Sequence, residues 1–121
     1  QERRRFSFPK QNRLLRAKDY QAVYQQGFRF TGPYFRAVCY ARPHGEGPRV
    51  GFSVPRKLGT AVIRNRIKRR LREAVRLELW RLHPQWDVVL QPFKAVLDAP
   101  FPALRNEIVR AFQKCNESCS G

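Results

Sequence analysis

Apolar residues recur with helical spacing in three parts of the chain. The longest such segment starts after Thr60, a possible N-cap, and stops at Pro84, which cannot continue a helix. The first segment is followed by Gly27, a plausible C-terminal stop. The pattern predicts helices over residues 13–26, 61–83 and 101–114.

Between the first two helices, the pattern changes to the alternation of a half-buried β-strand. Odd-numbered side chains of residues 34–41 should face one side of a sheet, and even-numbered ones the other. Residues 43–48 contain two Gly and two Pro and predict a hairpin connection to a strand at 49–54. With a short strand at 28–30, the early sheet should be antiparallel.

A short apolar run at 88–90 predicts a buried strand after the long helix. Strand 49–54, the helix and this strand would form a βαβ unit with parallel strands. The fold class is therefore α+β, with a mixed sheet backed by helices. We expect a single domain over 1–121, with a basic arm at 1–12, a prolyl loop at 92–102 and a flexible polar tail at the C-terminus (115–121).

The net charge of the chain restricts the kinds of molecule that it is expected to bind. The 121 residues include 25 Lys and Arg against nine Asp and Glu, a net charge of +16. No apolar run is long enough to predict a membrane span. Three cysteines are too few for a disulfide scaffold, and His44 and His83 lack the spacing of a metal site, so we expect reduced thiols in a cytoplasmic protein. The charge favours a polyanion, most simply nucleic acid.

The positive charge is concentrated in two segments. Residues 56–81 hold ten Lys and Arg with two acids, and residues 1–18 hold seven with one acid. Like charges at i,i+1 and i,i+4 repel in the free protein, and a polyanion relieves that repulsion. The long helix has almost pure Arg and Lys on its polar face, which suits phosphate and shape recognition of structured RNA.

Two tyrosines of the first predicted helix, Tyr20 and Tyr24, are four residues apart and should share a helix face. Two interpretations stay open. The rings either pack into the core or present a stacking surface for unpaired bases.

Catalytic chemistry has little support in the sequence. The acidic residues are scattered, and the chain contains neither a phosphate-binding Gly-rich loop nor a nucleophile elbow. We therefore assign no catalytic and no metal-binding residue, and expect the chain to assist catalysis rather than perform it.

The segment from Ser53 to Arg72 resembles the signature of the protein subunit of bacterial ribonuclease P. A Ser-Val-x-[Lys/Arg]-Lys-x-Gly loop covers 53–59 and precedes Arg-Asn-Arg, the "RNR" motif of that family. The likeness extends over about residues 13–114. By this resemblance the residues facing RNA would be Arg64, Asn65, Arg66, Lys68, Arg69 and Arg72.

The resemblance implies a ribonucleoprotein whose large RNA cleaves precursor tRNA with Mg²⁺ ions. The protein would bind that RNA and the single-stranded 5′ leader of the substrate, with no membrane and no obligate protein partner. The leader cleft would include Tyr20 and Tyr24, where family members often carry Phe, with Lys57 and Arg56 at its edge. The implied order is α-β-β-β-α-β-α with an unusual left-handed crossover, against the right-handed default.

Three rival functions remain at this level. A ribosomal or RNA-chaperone protein would share the charge. An autonomous nuclease would need acids such as Asp19 or Asp87. An amphipathic helix on a membrane surface is disfavoured, because the apolar stripe of the long helix is needed to cover the sheet.

Overall fold

The computed structural model describes residues 8–43, 45 and 47–118. Its elements follow the predicted α-β-β-β-α-β-α order, with short 3₁₀ turns between them. The helices are α1 (Ala17–Gln26), α2 (Ala61–Glu78) and α3 (Phe101–Ser118), and the strands are β1 (Phe28–Thr31), β2 (Phe35–Ala41), β3 (Arg49–Phe52) and β4 (Trp86–Pro92). None of the helices in the described part of the chain is long and apolar enough to cross a membrane.

The four strands form a mixed sheet in the order β1-β2-β4-β3. Strand β2 pairs antiparallel with both β1 and β4, while β3 and β4 are parallel, as predicted for the βαβ unit. The predicted hairpin at 43–48 is wrong, because β4 lies between β2 and β3. The reason is burial: β4 is apolar toward both faces and takes an inner position, while β3, with Arg49 and Gly51, lies outside it.

Helices cover both faces of the sheet. The larger core lies between the sheet and helices α2 and α3, and includes Phe35 and Cys39 of β2. A smaller core on the opposite face joins Val23 of α1 to Val38 and Val89 of the sheet. The predicted alternation of β2 is therefore confirmed, and each face of this strand serves a different core.

Helix α1 begins at Ala17, not at Arg13 as the periodicity predicted. Arg13 instead forms a parallel bridge with Val50, and the Leu14 amide donates to the Val50 carbonyl at 3.1 Å. Apolar residues before a helix fit an extended segment equally well, and pairing with the outer strand decides the conformation here.

The predicted basic arm is partly wrong as well. Phe8 is buried in the larger core and packs edge-on against Phe52, with ring centroids 6.1 Å apart. The Asn12 side-chain amide donates to the Pro48 carbonyl at 2.7 Å. Residues 8–12 are thus anchored to the sheet by a buried ring and a hydrogen bond, and the remainder of the predicted arm lies outside the described residues.

Helix boundaries also differ elsewhere. The predicted N-cap of α2 is confirmed, since the Ile63 amide donates to the Thr60 hydroxyl at 3.3 Å, but the helix gives way to a 3₁₀ turn after Glu78. Helix α3 continues to Ser118, beyond the predicted end at 114, because Cys115 is buried in the core. The expected flexible tail at 115–121 is therefore wrong for 115–118, and 119–121 lie outside the described residues.

Candidate nucleic-acid interface

The two tyrosines of α1 lie against the smaller core and remain half-buried. Their ring centroids are 6.4 Å apart, and the ring planes are tilted by 46°. The Tyr20 hydroxyl donates to the Leu14 carbonyl at 3.2 Å, which orients the ring. Each ring therefore packs on the core with one portion, as the first interpretation predicted, and leaves another portion accessible, on which base stacking stays a prediction.

Burial raises the pKa of Tyr20 above its ordinary value of 10.0, because the charged phenolate would lose solvation. The neighbouring Tyr24 ring acts in the same direction, whereas a backbone hydrogen bond with Phe52 opposes the shift. Tyr20 is consequently a neutral group at physiological pH, suited to stacking beside a polyanion.

A groove of about 180 Å³ connects this tyrosine to the basic helix. Tyr20 forms one wall, and Lys68 and Arg72 of α2 form another. The remaining lining residues come from the segment before α1 and from β3: Arg13, Leu14, Leu15, Val50, Gly51 and Phe52. The Tyr20 ring, several apolar side chains and three cations therefore meet at one place, although their sequence positions span more than 50 residues.

The cations of α2 divide into two groups. Most of the six predicted RNA-facing side chains are exposed, and Arg64 and Lys68 are half-buried, with Arg64 Nε donating to the Gly59 carbonyl at 3.3 Å. Arg70 points elsewhere, since its guanidinium donates to the carbonyls of Leu97 at 3.2 Å and Ala99 at 2.5 Å. Arg70 therefore fastens α2 to the segment before α3, and Arg76 is paired with Glu73 at 2.5 Å, whereas Arg66, Arg69 and Arg72 are exposed to solvent.

The two acids considered for a nuclease are engaged by arginines. Asp87 is buried, and its carboxylate accepts from Arg42 at 2.8 Å and from Arg49 at 2.7 Å and 2.9 Å. Asp19 lies 3.4 Å from the same Arg49. These carboxylates hold the segment before β3 and the start of α1 onto the sheet.

Comparison with known proteins decides the family. The ribonuclease P family model matches residues 8–116. The ribonuclease P protein component of Symbiobacterium thermophilum is 43% identical over 103 residues, which are 84% of this chain and 89% of that protein. The corresponding component of Finegoldia magna is 37% identical over 108 residues, or 88% of this chain and 94% of that protein.

This chain belongs to the ribonuclease P protein family. It functions as a protein subunit of ribonuclease P, a tRNA-processing ribonuclease. The fold agrees. A structure of a Staphylococcus aureus RNase P protein mutant with defective mRNA degradation activity matches with a TM-score of 0.75 at 26% identity, covering 89% of this chain and 90% of that one.

In this ribonuclease P protein, the predicted site residues do not all line the same groove. Lys68 and Arg72 share a groove with Tyr20, whereas Tyr24 is not among the residues that line it. Arg56 and Lys57 are exposed on the 3₁₀ turn Arg56–Leu58 that precedes α2. They too lie outside the lining of the groove.

A second basic groove, of about 410 Å³, was not predicted as a site. It shares Arg13 and Leu15 with the first groove, so the two grooves adjoin at this segment. The excess charge of residues 1–18 was the available signal, but the periodicity assigned Arg13 and Arg16 to a helix. The other lining residues are Lys10, Gln11, Arg16, Lys18, Asp19 and Arg49.

The sheet adds further polar groups beside α1. Tyr40 is half-buried against the smaller core, on the same face as Tyr20 and Tyr24. Arg29 is exposed, pairs in register with Val38, and donates to the Tyr24 carbonyl at 3.5 Å. Alternation within β2 had placed Tyr40 on this face, but only the position of α1 shows that it accompanies the other two tyrosines.

Proposed function

We propose that this subunit binds the RNA of ribonuclease P through the exposed cations of α2 and receives the 5′ leader of precursor tRNA in the groove beside Tyr20. The observation that carries the proposal is the junction of Tyr20 with Lys68 and Arg72 in one groove. Unpaired nucleotides need a stacking surface and a nearby phosphate partner, and this groove offers both.

The RNA-binding part of the proposal rests on the six residues of the family motif. Their side chains lie along one helix whose opposite face, including Ile67 and Leu71, is completely buried against the sheet. The helix is therefore a rigid platform, and its arginines can make bidentate contacts to phosphates without any rearrangement of the core.

Catalysis in this proposal belongs to the RNA subunit. Mg²⁺ prefers several oxygen ligands, yet the described residues contain no group of three or more His, Cys, Asp or Glu side chains that could hold a metal ion. Asp19 and Asp87 are committed to Arg49. The donor set of the described residues does not fit Mg²⁺. We therefore propose that the ions of the reaction are bound mainly by RNA, in the cytoplasm where tRNA matures.

The decisive experiment is cleavage of precursor tRNA by the cognate RNA at low Mg²⁺, with and without the purified protein. We expect the protein to increase the single-turnover cleavage rate, and the Arg66→Ala, Arg69→Ala double variant to lose most of that increase. An unchanged rate with the wild-type protein would instead favour a ribosomal or RNA-chaperone role.

The protein alone provides the second arm of this experiment. We expect no cleavage of precursor tRNA when the RNA subunit is omitted. Cleavage by protein alone, abolished by Asp19→Asn or Asp87→Asn, would contradict the proposal and identify an autonomous nuclease.

A further inference from the structure

Two cysteines from distant parts of the chain meet inside the larger core. Cys39 belongs to β2 and Cys115 to the last turns of α3, and the two residues are 1% and 0% exposed. Their Sγ atoms are 2.6 Å apart, with the Cys115 thiol donating to the Cys39 sulfur. Both are free thiols in this structure.

A disulfide bond requires the sulfur atoms to approach by only about 0.5 Å more. We propose that Cys39 and Cys115 form an oxidative modification site, which a small-molecule disulfide converts to an intramolecular disulfide. In the first step, a thiolate attacks the oxidant and releases one thiol. In the second step, the other cysteine displaces the remaining thiol, so that two electrons and two protons pass from the cysteines to the oxidant.

The surroundings of the pair make this reaction slow in the closed protein. The hydrogen bond with Cys39 and burial in the core both raise the pKa of the Cys115 thiol, and the thiolate is the reactive form. Attack by an external reagent therefore requires local opening, for which the C-terminal end of α3 is the nearest exposed element.

The side chain of Asn116 anchors that end of α3. The Asn116 amide donates to the Arg81 carbonyl at 2.8 Å and accepts from the His83 amide at 3.1 Å. Loss of these hydrogen bonds should make opening more frequent without changing either cysteine. Asn116→Ala is therefore expected to accelerate the oxidation severalfold.

The bond would link the middle of the sheet to the terminal helix, across a separation of 76 residues. Such a link restricts the unfolded chain and should raise the thermal midpoint. The pair lies in the core under α2 and α3, whereas Tyr20 lies against the smaller core on the opposite face. The modification should therefore leave RNA affinity unchanged, and this inference does not depend on the proposed function.

The test uses the full chain with Cys119→Ser, which leaves the proposed pair as its two thiols. After incubation of the folded protein with glutathione disulfide, we expect both thiols to disappear, a mass lower by two hydrogens, and a cross-linked peptide containing residues 39 and 115. The thermal midpoint should rise by about 5 °C or more. Cys119→Ser with Cys115→Ala, verified as folded by circular dichroism, should gain only a glutathione adduct and no increase in midpoint.

Three outcomes would overturn the proposal. The first is persistence of both thiols, in the Asn116→Ala background as well. The second is formation of glutathione adducts without a cross-link. The third is a cross-linked product with a lowered thermal midpoint, which would show that the folded geometry does not accommodate the bond.

Discussion

The Tyr20 hydroxyl lies over Gly51 of β3, in the space where any other residue would place its Cβ atom. A Cβ at this position would lie 2.4 Å from the hydroxyl oxygen and 2.7 Å from Cζ. The same hydroxyl donates to the Leu14 carbonyl at 3.2 Å, and the Leu14 amide donates to Val50. The ring, the segment before α1 and the outer strand therefore form one unit, and this unit lines the groove together with Lys68 and Arg72.

This contact predicts that Gly51→Ala lowers the stability of the protein. Because the neighbouring ring and Leu14 Cβ, at 2.9 Å, must move, we expect a loss of about 1–3 kcal/mol in the free energy of unfolding. Gly47→Ala is the matched control, since among the described residues its Cβ would approach only Asn12 Nδ2, at 3.4 Å. Urea denaturation of both variants measures the difference.

The double variant Gly51→Ala, Tyr20→Phe tests the mechanism of that loss. Removal of the hydroxyl eliminates the shortest contact but leaves Cζ, so the stability should recover in part. If the two substitutions are simply additive, the Tyr20 hydroxyl is not the group that excludes a side chain at residue 51.

The tyrosines are expected to contribute to leader binding. Tyr20→Ala should weaken the affinity for precursor tRNA with a leader by about 1–3 kcal/mol, the value of one lost base stack. Tyr24 lies outside the lining of the groove, so Tyr24→Ala should weaken this affinity less. Tyr24→Phe keeps the ring and should retain the affinity. Competition binding with leaderless tRNA is the control, and equal weakening for both RNAs would show that the tyrosines have a structural role only.

We expect Arg66 and Arg69 of α2 to contribute to RNA binding and Arg70 of the same helix to contribute to stability. Arg66→Ala and Arg69→Ala remove exposed cations, so RNA binding should weaken. The slope of log Kd against log salt concentration should also fall by roughly one for each lost phosphate contact. Arg70→Ala is the matched control on the same helix. It should preserve the salt dependence and lower stability by about 1–3 kcal/mol, because the Leu97 and Ala99 carbonyls lose their donor. Identical salt slopes for all three variants would refute this division.

The raised pKa of Tyr20 predicts a loss of stability at alkaline pH. Because the folded pKa exceeds the unfolded value, the stabilising contribution is complete below pH 10.0 and disappears as the pH rises through the folded pKa. The difference between absorbance titrations of wild type and Tyr20→Phe at the tyrosinate band isolates this group. A midpoint of the difference curve at or below pH 10.0 would contradict the burial of the ring.

Much of the fold could be predicted because it depends on patterns among residues that are close in the sequence. The buried stripe of α2, the Thr60 cap and the alternation of β2 all depend on residues close in sequence. The order of the strands could not be predicted in the same way. A connection with two Gly and two Pro permits a hairpin, and only competition among strands for the buried inner position places β4 between β2 and β3.

Some features of the candidate site could likewise be predicted from the sequence, and others could not. The basic residues of α2 and the spacing of Tyr20 and Tyr24 are visible in the sequence, as are the motifs that resemble the family. That Arg70 turns away to bind carbonyls is not visible, because its partners are 27 and 29 residues distant. The second basic groove was missed for a similar reason, since Arg13 and Arg49 become neighbours only when the segment before α1 pairs with β3.

The sequence by itself determined the family, the helical and strand segments, and the positive face of α2, because each depends on residue types at short spacings. Only the tertiary structure decided that Tyr20 shares a groove with Lys68 and Arg72, that residues 8–14 lie along β3, and that Cys39 contacts Cys115. These relationships join residues far apart in the chain. They arise from the position of β4 between β2 and β3 and from the packing of helices on both faces of the sheet, which no local pattern encodes.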